Sequence, residues 1–149
     1  MICDRRSDGD GGFEYYAKEC QTAFTMTDDE LACYDCDVEI DGAEDCDHRT
    51  IVDGNGNPVL DGDGEEQTEV YAVTCSDDRD LSTDQLQCID CQIDGAEICD
   101  SIPTDENDPN YPDGRFVFVD TCEVPRNISS DALHCLDCAQ IEGATLCKY

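Results

Sequence analysis

Hydrophobic positions along the chain fall into short runs that are separated by long polar segments. Three of these runs are rich in aromatic and β-branched residues and end in Cys: 13–20 (FEYYAKEC), 70–75 (VYAVTC) and 116–122 (FVFVDTC). Such residues favour a pleated, half-buried surface. The pattern therefore predicts three β-strands.

A block that occurs three times follows these strands, at residues 27–46, 82–99 and 129–147. In each copy a hydroxyl residue opens the block, a Leu precedes a CxxC pair, and an Ile leads into Asp-Gly-Ala or Glu-Gly-Ala. Thr27 with Glu30, and Ser82 with Gln85, have capping-box spacing, which predicts a short helical turn that carries Leu31 or Leu86 inward. Asp-Gly between extended residues predicts a two-residue hairpin.

The repetition divides the chain of 149 residues into units of about 50 residues, each below the size that supports a core unaided. We expect a small, disulfide-rich, mainly β fold: a tandem array of three cysteine-stapled modules, each a strand, a short helical turn and a hairpin. The predicted organisation is 1–12 (end of a preceding unit and a loop), 13–46 (repeat 1), 47–66 (acidic Asp/Gly loop), 67–99 (repeat 2), 100–114 (Pro/Asp loop) and 115–147 (repeat 3).

The start of the chain resembles the inside of a repeat. MICD at its beginning aligns with EICD at 97–100, so Cys3 occupies the position of the last Cys of a unit. We therefore expect the sequence to be a mature fragment or a window of a longer repeat protein.

Thirteen cysteines in 149 residues is the density of a disulfide scaffold. Their spacing repeats with small variations, and each set of four allows three pairings, among which the sequence does not choose. A bridge that closes a loop of about 15 residues contributes about 3 kcal/mol in the chain-entropy account, so two bridges per unit could replace a missing core. The predicted framework is Cys20, Cys33, Cys36, Cys46, Cys75, Cys88, Cys91, Cys99, Cys122, Cys135, Cys138 and Cys147.

Cys3 makes the number of cysteines odd. It could pair with a segment outside this window, with another chain, or with Cys20, in which case Cys147 is left unmatched. An unmatched thiol at one end suits head-to-tail linkage of copies. The alternative is that the odd cysteine only reflects where the sequence was cut.

Repeats with a CxxC pair and further spaced cysteines resemble the cysteine-rich repeats of extracellular proteins, notably furin-like repeats and the surface proteins of protists. The resemblance rests on cysteine spacing and covers the whole chain. It implies a rod-like extracellular array that serves as a coat, an adhesin or a receptor ectodomain.

Tandem zinc modules are the main alternative for the cysteines. Cys33, Cys36, Cys46 and His48 would suit a site with three thiolates and one imidazole. However, the positions that match His48 in the other copies are Ser101 and Tyr149, and each set contains one CxxC pair where zinc modules usually have two. We therefore favour disulfides.

The formal charge of −30, from 38 acidic and 8 basic residues, excludes nucleic acid and anionic membrane surfaces as partners. It favours a cationic partner or bound cations. No apolar stretch is long enough for membrane insertion.

Calcium is the candidate cation, and no other cofactor is required. From Asp53 onward, oxygen ligands follow in EF-hand order, but Pro58 replaces the turn Gly and Gly64 replaces the bidentate Glu. We therefore expect weak binding at several places that screens the charge. The candidate residues are Asp53, Asn55, Asn57, Asp61 and Asp63.

Asn127 begins the sequon Asn-Ile-Ser, which we expect to lie in an exposed loop as a glycosylation site. Neither His48 nor His134 has a repeated nucleophile or acid partner, so no catalytic group is predicted. We expect a secreted or cell-surface structural protein that forms or decorates a filament or coat and associates head-to-tail. The alternative is an adhesin or receptor-type ectodomain whose variable acidic loops bind a partner.

Overall fold

The computed structural model describes residues 2–21, 23–105, 108–111 and 114–137. The fold is small and mainly β, with 47% strand, 3% helix and five disulfides, so the disulfide-rich, β-dominated class expected from the sequence is confirmed. Two compact units make up the chain, Met1–Ser76 and Asp77–Tyr149.

The described elements follow one another in a repeating order of long strands, short strands and turns. They are β1 (Ile2–Ser7), β2 (Phe13–Glu19), β3 (Thr25–Met26), β4 (Cys33–Tyr34), α1 (Cys36–Glu39), β5 (Ala43–Thr50), β6 (Thr68–Cys75), β7 (Asp80–Leu81), β8 (Cys88–Ile89), β9 (Ala96–Pro103), β10 (Arg115–Cys122), β11 (Asn127–Ile128) and β12 (Cys135–Leu136).

Long antiparallel hairpins join the end of one predicted repeat to the start of the next. Hairpin 1 pairs β1 with β2, hairpin 2 pairs β5 with β6, and hairpin 3 pairs β9 with β10. The strands β2, β6 and β10 are those predicted from aromatic and β-branched residues. Their partners extend into predicted loops, because β5 runs through Thr50 and β9 through Pro103. The acidic segments therefore lie at the tips of hairpins.

Hairpins 2 and 3 share one irregularity, a shift of register near the closing cysteine. In hairpin 2 the shift falls between Ala43 and Cys46 on β5, and in hairpin 3 between Val119 and Cys122 on β10. Bulges of this kind increase the local twist of a strand pair.

Short hairpins replace the predicted helical turns. In unit 1, β3 pairs with β4 across residues 27–32, so the prediction of a helical turn at Thr27 was wrong. Leu31 is 48% exposed, so the prediction that it points inward was also wrong. The prediction of a helical turn at Ser82 was also wrong, since β7 and β8 pair on either side of the loop that begins there. A helical nucleus is costly, and the paired strands at both ends leave too few residues to offset that cost.

The Asp-Gly step forms a tight turn that leads into a long hairpin. The N–H of Ala43 donates to the carbonyl of Ile40 at 2.9 Å, and Gly42 between them has φ of 81°. Glycine adopts this left-handed conformation without the strain that a Cβ would bring. The predicted turn is present. It connects α1 to β5, whereas we expected it to join the two strands of a hairpin. Gly143 of the third copy lies outside the described residues.

The core contains few large side chains. Its buried apolar residues are mostly alanines and cysteines, with Ile89 the largest that is fully buried. Apolar area of this size stabilises only weakly. Covalent bridges and buried hydrogen bonds must therefore supply much of the order.

Candidate functional site

The repeated block folds into a loop that is closed by its own hydroxyl group. We call residues 27–32, 82–87 and 129–134 capped loops 1, 2 and 3. In capped loop 2, Ser82 Oγ accepts a hydrogen bond from the N–H of Gln87 at 3.0 Å and donates to Asp84 Oδ1 at 2.7 Å. The same pair of bonds forms in the other two capped loops, and all three hydroxyl residues are at most 4% exposed.

Each capped loop also contains a residue with positive φ. The values are 65° at Glu30, 64° at Gln85 and 58° at Ala132. In this conformation the carbonyl turns toward a long hairpin: Glu30 O accepts the N–H of Ala17 at 2.6 Å, and Ala132 O accepts that of Val119 at 2.7 Å. Backbone strain of this kind persists only where surrounding contacts hold it.

A second contact joins the capped loop to the long hairpin that follows it. Asp29 Oδ2 lies 2.7 Å from His48 Nε2 on hairpin 2. In unit 2, the guanidinium of Arg115 on hairpin 3 donates to Asp84 Oδ2 at 2.7 Å. The same Asp of the repeat thus recruits a different basic group in each unit, and Arg115 also bonds Ser101 Oγ at 3.0 Å.

A third contact uses the Asp that follows the last Cys of the first two sets. Asp47 accepts the N–H of Asp28 at 3.3 Å, and Asp100 accepts that of Thr83 at 2.9 Å. Asp47 is only 8% exposed. Buried carboxylates of this kind need such bonds, because desolvation without a partner is costly.

These contacts set the acidity of the capped-loop carboxylates. Burial would raise the pKa of Asp84, but hydrogen bonds from Ser82 and Arg115 hold that pKa below its ordinary value. The pKa of Asp29 is lowered against burial by bonds from Thr27 and the N–H of Leu31. Both carboxylates are therefore charged where they meet the hairpins.

Among the described cysteines, disulfides join neighbours in sequential order. The bonds are Cys20–Cys33, Cys36–Cys46, Cys91–Cys99 and Cys122–Cys135, and Cys75 and Cys88 are also disulfide-bonded. The first bond of a set ties a long strand to a short hairpin, and the second closes the Asp-Gly turn. Cys138 and Cys147 lie outside the described residues.

The residues of the candidate zinc site do not converge. Cys33, Cys36 and Cys46 are disulfide-bonded, and His48 contacts Asp29. Among the described residues, one group of potential metal ligands lies within 4.8 Å, namely Asp80, Cys91 and Cys99. Two of its members form a disulfide and carry no thiolate, so this group lacks the donors that zinc prefers.

The candidate calcium residues lie in two consecutive loops of the same form at the tip of hairpin 2. Asp53 Oδ1 accepts the N–H groups of Asn55 and Asn57, and Asp61 Oδ1 accepts those of Asp63 and Glu65. These backbone bonds lower the pKa of both capping carboxylates. The carboxylates of Asp53, Asp61 and Asp63 do not form a convergent group among the described residues.

Two predicted site residues that the structure describes lie apart from these groups. Cys3 is an exposed free thiol on β1. Asn127 lies half-buried on β11, paired with Leu136, and not in the exposed loop expected from the sequence. Cys147, the other candidate for linkage between chains, belongs to the undescribed end.

Sequence reasoning missed the carboxylates that join the repeats. The predictions from sequence assign no role to Asp29, Asp84 or Asp131. The signal was present, because each stands two positions after the hydroxyl residue of its block while neighbouring acids vary. Their basic partners have no such signature, since His48 and Arg115 come from different register positions.

No helix in the described part of the chain is long and apolar enough to cross a membrane. Comparison with known proteins finds no family model that matches the chain, and no curated protein or solved structure that matches it.

Proposed function

We propose that this protein is an extracellular structural protein, an acidic disulfide-stapled repeat array that forms or decorates a filament or surface coat. It has no catalytic role in this proposal. The disulfides fit an extracellular chain, because such bonds persist in oxidising compartments.

The observation that carries the proposal is the alternation of capped loops and long hairpins. Capped loop 1 bonds hairpin 1 through Glu30 and hairpin 2 through Asp29. In unit 2, hairpin 3 is bonded by capped loop 2 through Arg115 and by capped loop 3 through Val119. Repeat proteins stabilised by contacts between neighbours form extended arrays.

The test is electron microscopy of native material together with intact mass under reducing and non-reducing conditions. Regular filaments or a coat whose repeat distance matches one chain would support the structural role. Mass differences would report disulfides, linkage between chains and a glycan at Asn127. Isolated rods and a purely intracellular location would contradict the proposal.

The second candidate is an ectodomain that binds a cationic partner through its acidic tips. The tip of hairpin 2 favours it, because residues 60–68 are all exposed and include Asp61, Asp63, Glu65 and Glu66. This hypothesis expects isolated rods in micrographs and salt-sensitive capture of a basic ligand such as polylysine. Replacing the tip carboxylates with amides should abolish that capture.

A further inference from the structure

One face of hairpin 1 is largely uncovered in the described structure, with Ala17 its buried member. By register, Cys3 lies opposite Ala17 and Arg5 opposite Tyr15, so these side chains share a face with Phe13. We call Cys3, Arg5, Phe13 and Tyr15 the outer face. Phe13 is 65% exposed and Tyr15 75% exposed. The guanidinium of Arg5 stacks over Phe13 at 4.9 Å, and no described carboxylate forms an ion pair with it.

Capped loops contact the matching faces of the other long hairpins. Register places His48 of hairpin 2 and Ser101 of hairpin 3 at the position of Arg5. His48 meets Asp29 of capped loop 1, and Ser101 bonds Gln87 of capped loop 2 at 2.6 Å. At the position of Tyr15 both hairpins carry a half-buried Val.

Capped loop 3 has the groups that make this contact, but within the described part of the chain they bond no long hairpin. Asp29 and Asp84 each reach a long hairpin through Oδ2, whereas the described contacts of Asp131 all lie within its own loop. Its side chain is 46% exposed. The N–H of Ser130, which matches the donors Asp28 and Thr83, bonds no described acceptor.

Hairpin 1 presents the complementary groups. Asp4 matches Asp47 and Asp100 in register. Its Oδ1 accepts the N–H of the next residue, Arg5, at 2.9 Å, and Asp47 and Asp100 make the same bond to the residue that follows each of them. Its Oδ2 faces Lys18 at 2.7 Å, where the other two aspartates receive a capped loop. Among the residues that the structure describes, Asp4 and Arg5 are thus an acceptor and a cation that contact no capped loop, while Ser130 and Asp131 are a donor and an anion that contact no long hairpin.

We propose that capped loop 3 of one copy docks on the outer face of hairpin 1 of a second copy, reproducing the contact seen inside each unit. Asp131 pairs with Arg5, and the N–H of Ser130 bonds Asp4. The surface on each copy is different, so the interface is heterologous and adds copies head-to-tail. This inference rests on the proposed structural role and names its partner and contact.

Sedimentation of the whole chain at physiological ionic strength tests the proposal, because a Debye length of about 8 Å then screens the repulsion between acidic copies. The wild type is expected to grow beyond a dimer as its concentration rises. Arg5→Glu should weaken self-association at least about tenfold, since it places a carboxylate against Asp131. Asp131→Asn should weaken it too, while its amide oxygen still caps the loop.

The decisive sample is an equal mixture of the two variants. The Arg5→Glu copy keeps an intact capped loop 3, and the Asp131→Asn copy keeps an intact outer face. Head-to-tail docking therefore predicts a one-to-one heterodimer that stops growing. A mixture that stays monomeric, or variants that associate as the wild type does, would overturn the proposal.

Matched controls separate docking from folding and from thiol chemistry. Asp120→Asn neutralises an exposed carboxylate of hairpin 3, as Asp131→Asn does in capped loop 3, and should associate like the wild type. The series is repeated on a Cys3→Ser background, in which Arg5→Glu and Asp131→Asn should weaken association as they do with Cys3 present. Circular dichroism and the disulfide content of each variant must match the wild type.

Failure of this inference is distinguishable from failure of the structural role. Native filaments that persist in Arg5→Glu would overturn the docking and leave the structural role intact. A wild type that is monomeric at every concentration, together with isolated native rods, would remove both.

Discussion

At the residue scale, buried hydroxyl groups explain how a strongly polar block adopts a fixed conformation. Thr27, Ser82 and Ser129 each bond a backbone N–H and a carboxylate while almost fully buried. A buried hydroxyl bonded in both directions contributes to stability, and its removal leaves its partners unsatisfied. The side chain that sequence reasoning assigned to a helix cap is therefore a loop closure.

Replacing Ser82 with Ala should lower the free energy of unfolding by about 1–3 kcal/mol, because the N–H of Gln87 loses its acceptor and Asp84 a donor. Denaturant unfolding measures the change. Ser130→Ala makes the same chemical change at an exposed position and should stay within about 0.5 kcal/mol of the wild type. Equal effects of the two substitutions would contradict the assigned role.

Acid should weaken the capped-loop contact in unit 2. The pKa of Asp84 is lower in the folded chain than its ordinary value, so its stabilising effect is complete above the unfolded pKa of about 3.9 and is lost as pH falls through the folded pKa. The stability gap between the wild type and Asp84→Asn should therefore shrink in that acidic range. Unfolding at a series of pH values measures it, with Asp120→Asn as control. A gap that is independent of pH would refute this expectation.

At the element scale, the sequence predicted strands well where their residues have a strong β preference. β2, β6 and β10 carry aromatic and β-branched residues, and they lie close to the predicted positions. Their partners β1, β5 and β9 were hidden because they are polar; AEDCDHRT, for example, has no hydrophobic alternation. Pairing with the neighbouring strand, and not local preference, makes these segments extended.

The disulfide that closes the Asp-Gly turn should stabilise hairpin 2. Removing it with Cys36→Ala and Cys46→Ala together is expected to lower the free energy of unfolding by about 2–4 kcal/mol, because the unfolded chain gains freedom. Denaturant unfolding under non-reducing conditions measures the loss. Cys3→Ala is the control, since Cys3 is exposed and free. A double variant as stable as this control would show that the bond is dispensable.

At the scale of the whole molecule, the formal charge of −30 needs compensation, and few ion pairs among the described residues provide it. The basic groups that the structure describes in ion pairs hold contacts between elements, as Arg6 does by bonding both Glu14 and Glu30. The exposed acidic tips are left to solvent cations. Their capped Asp loops keep the carboxylates dispersed, which favours many weak sites over a single tight one.

Calcium should therefore raise the melting temperature gradually, without saturating at one ion per chain. Calcium both screens the self-repulsion and binds the exposed carboxylates weakly, so its effect should exceed that of sodium at equal ionic strength. Calorimetric titration and thermal unfolding with and without EDTA measure it. If EDTA leaves both the melting temperature and the hydrodynamic radius unchanged, calcium has no structural role.

The sequence by itself determined the features that depend on short spacing: the repeated block, the disulfide-rich class, three strands and the Asp-Gly turns. Tertiary structure decided which segments meet. The long hairpins cross the predicted repeat boundaries, and the capped loop forms because short strands pair at both of its ends. These outcomes depend on contacts between polar segments of low intrinsic preference, such as Asp29 with His48, whose pairing no local pattern encodes.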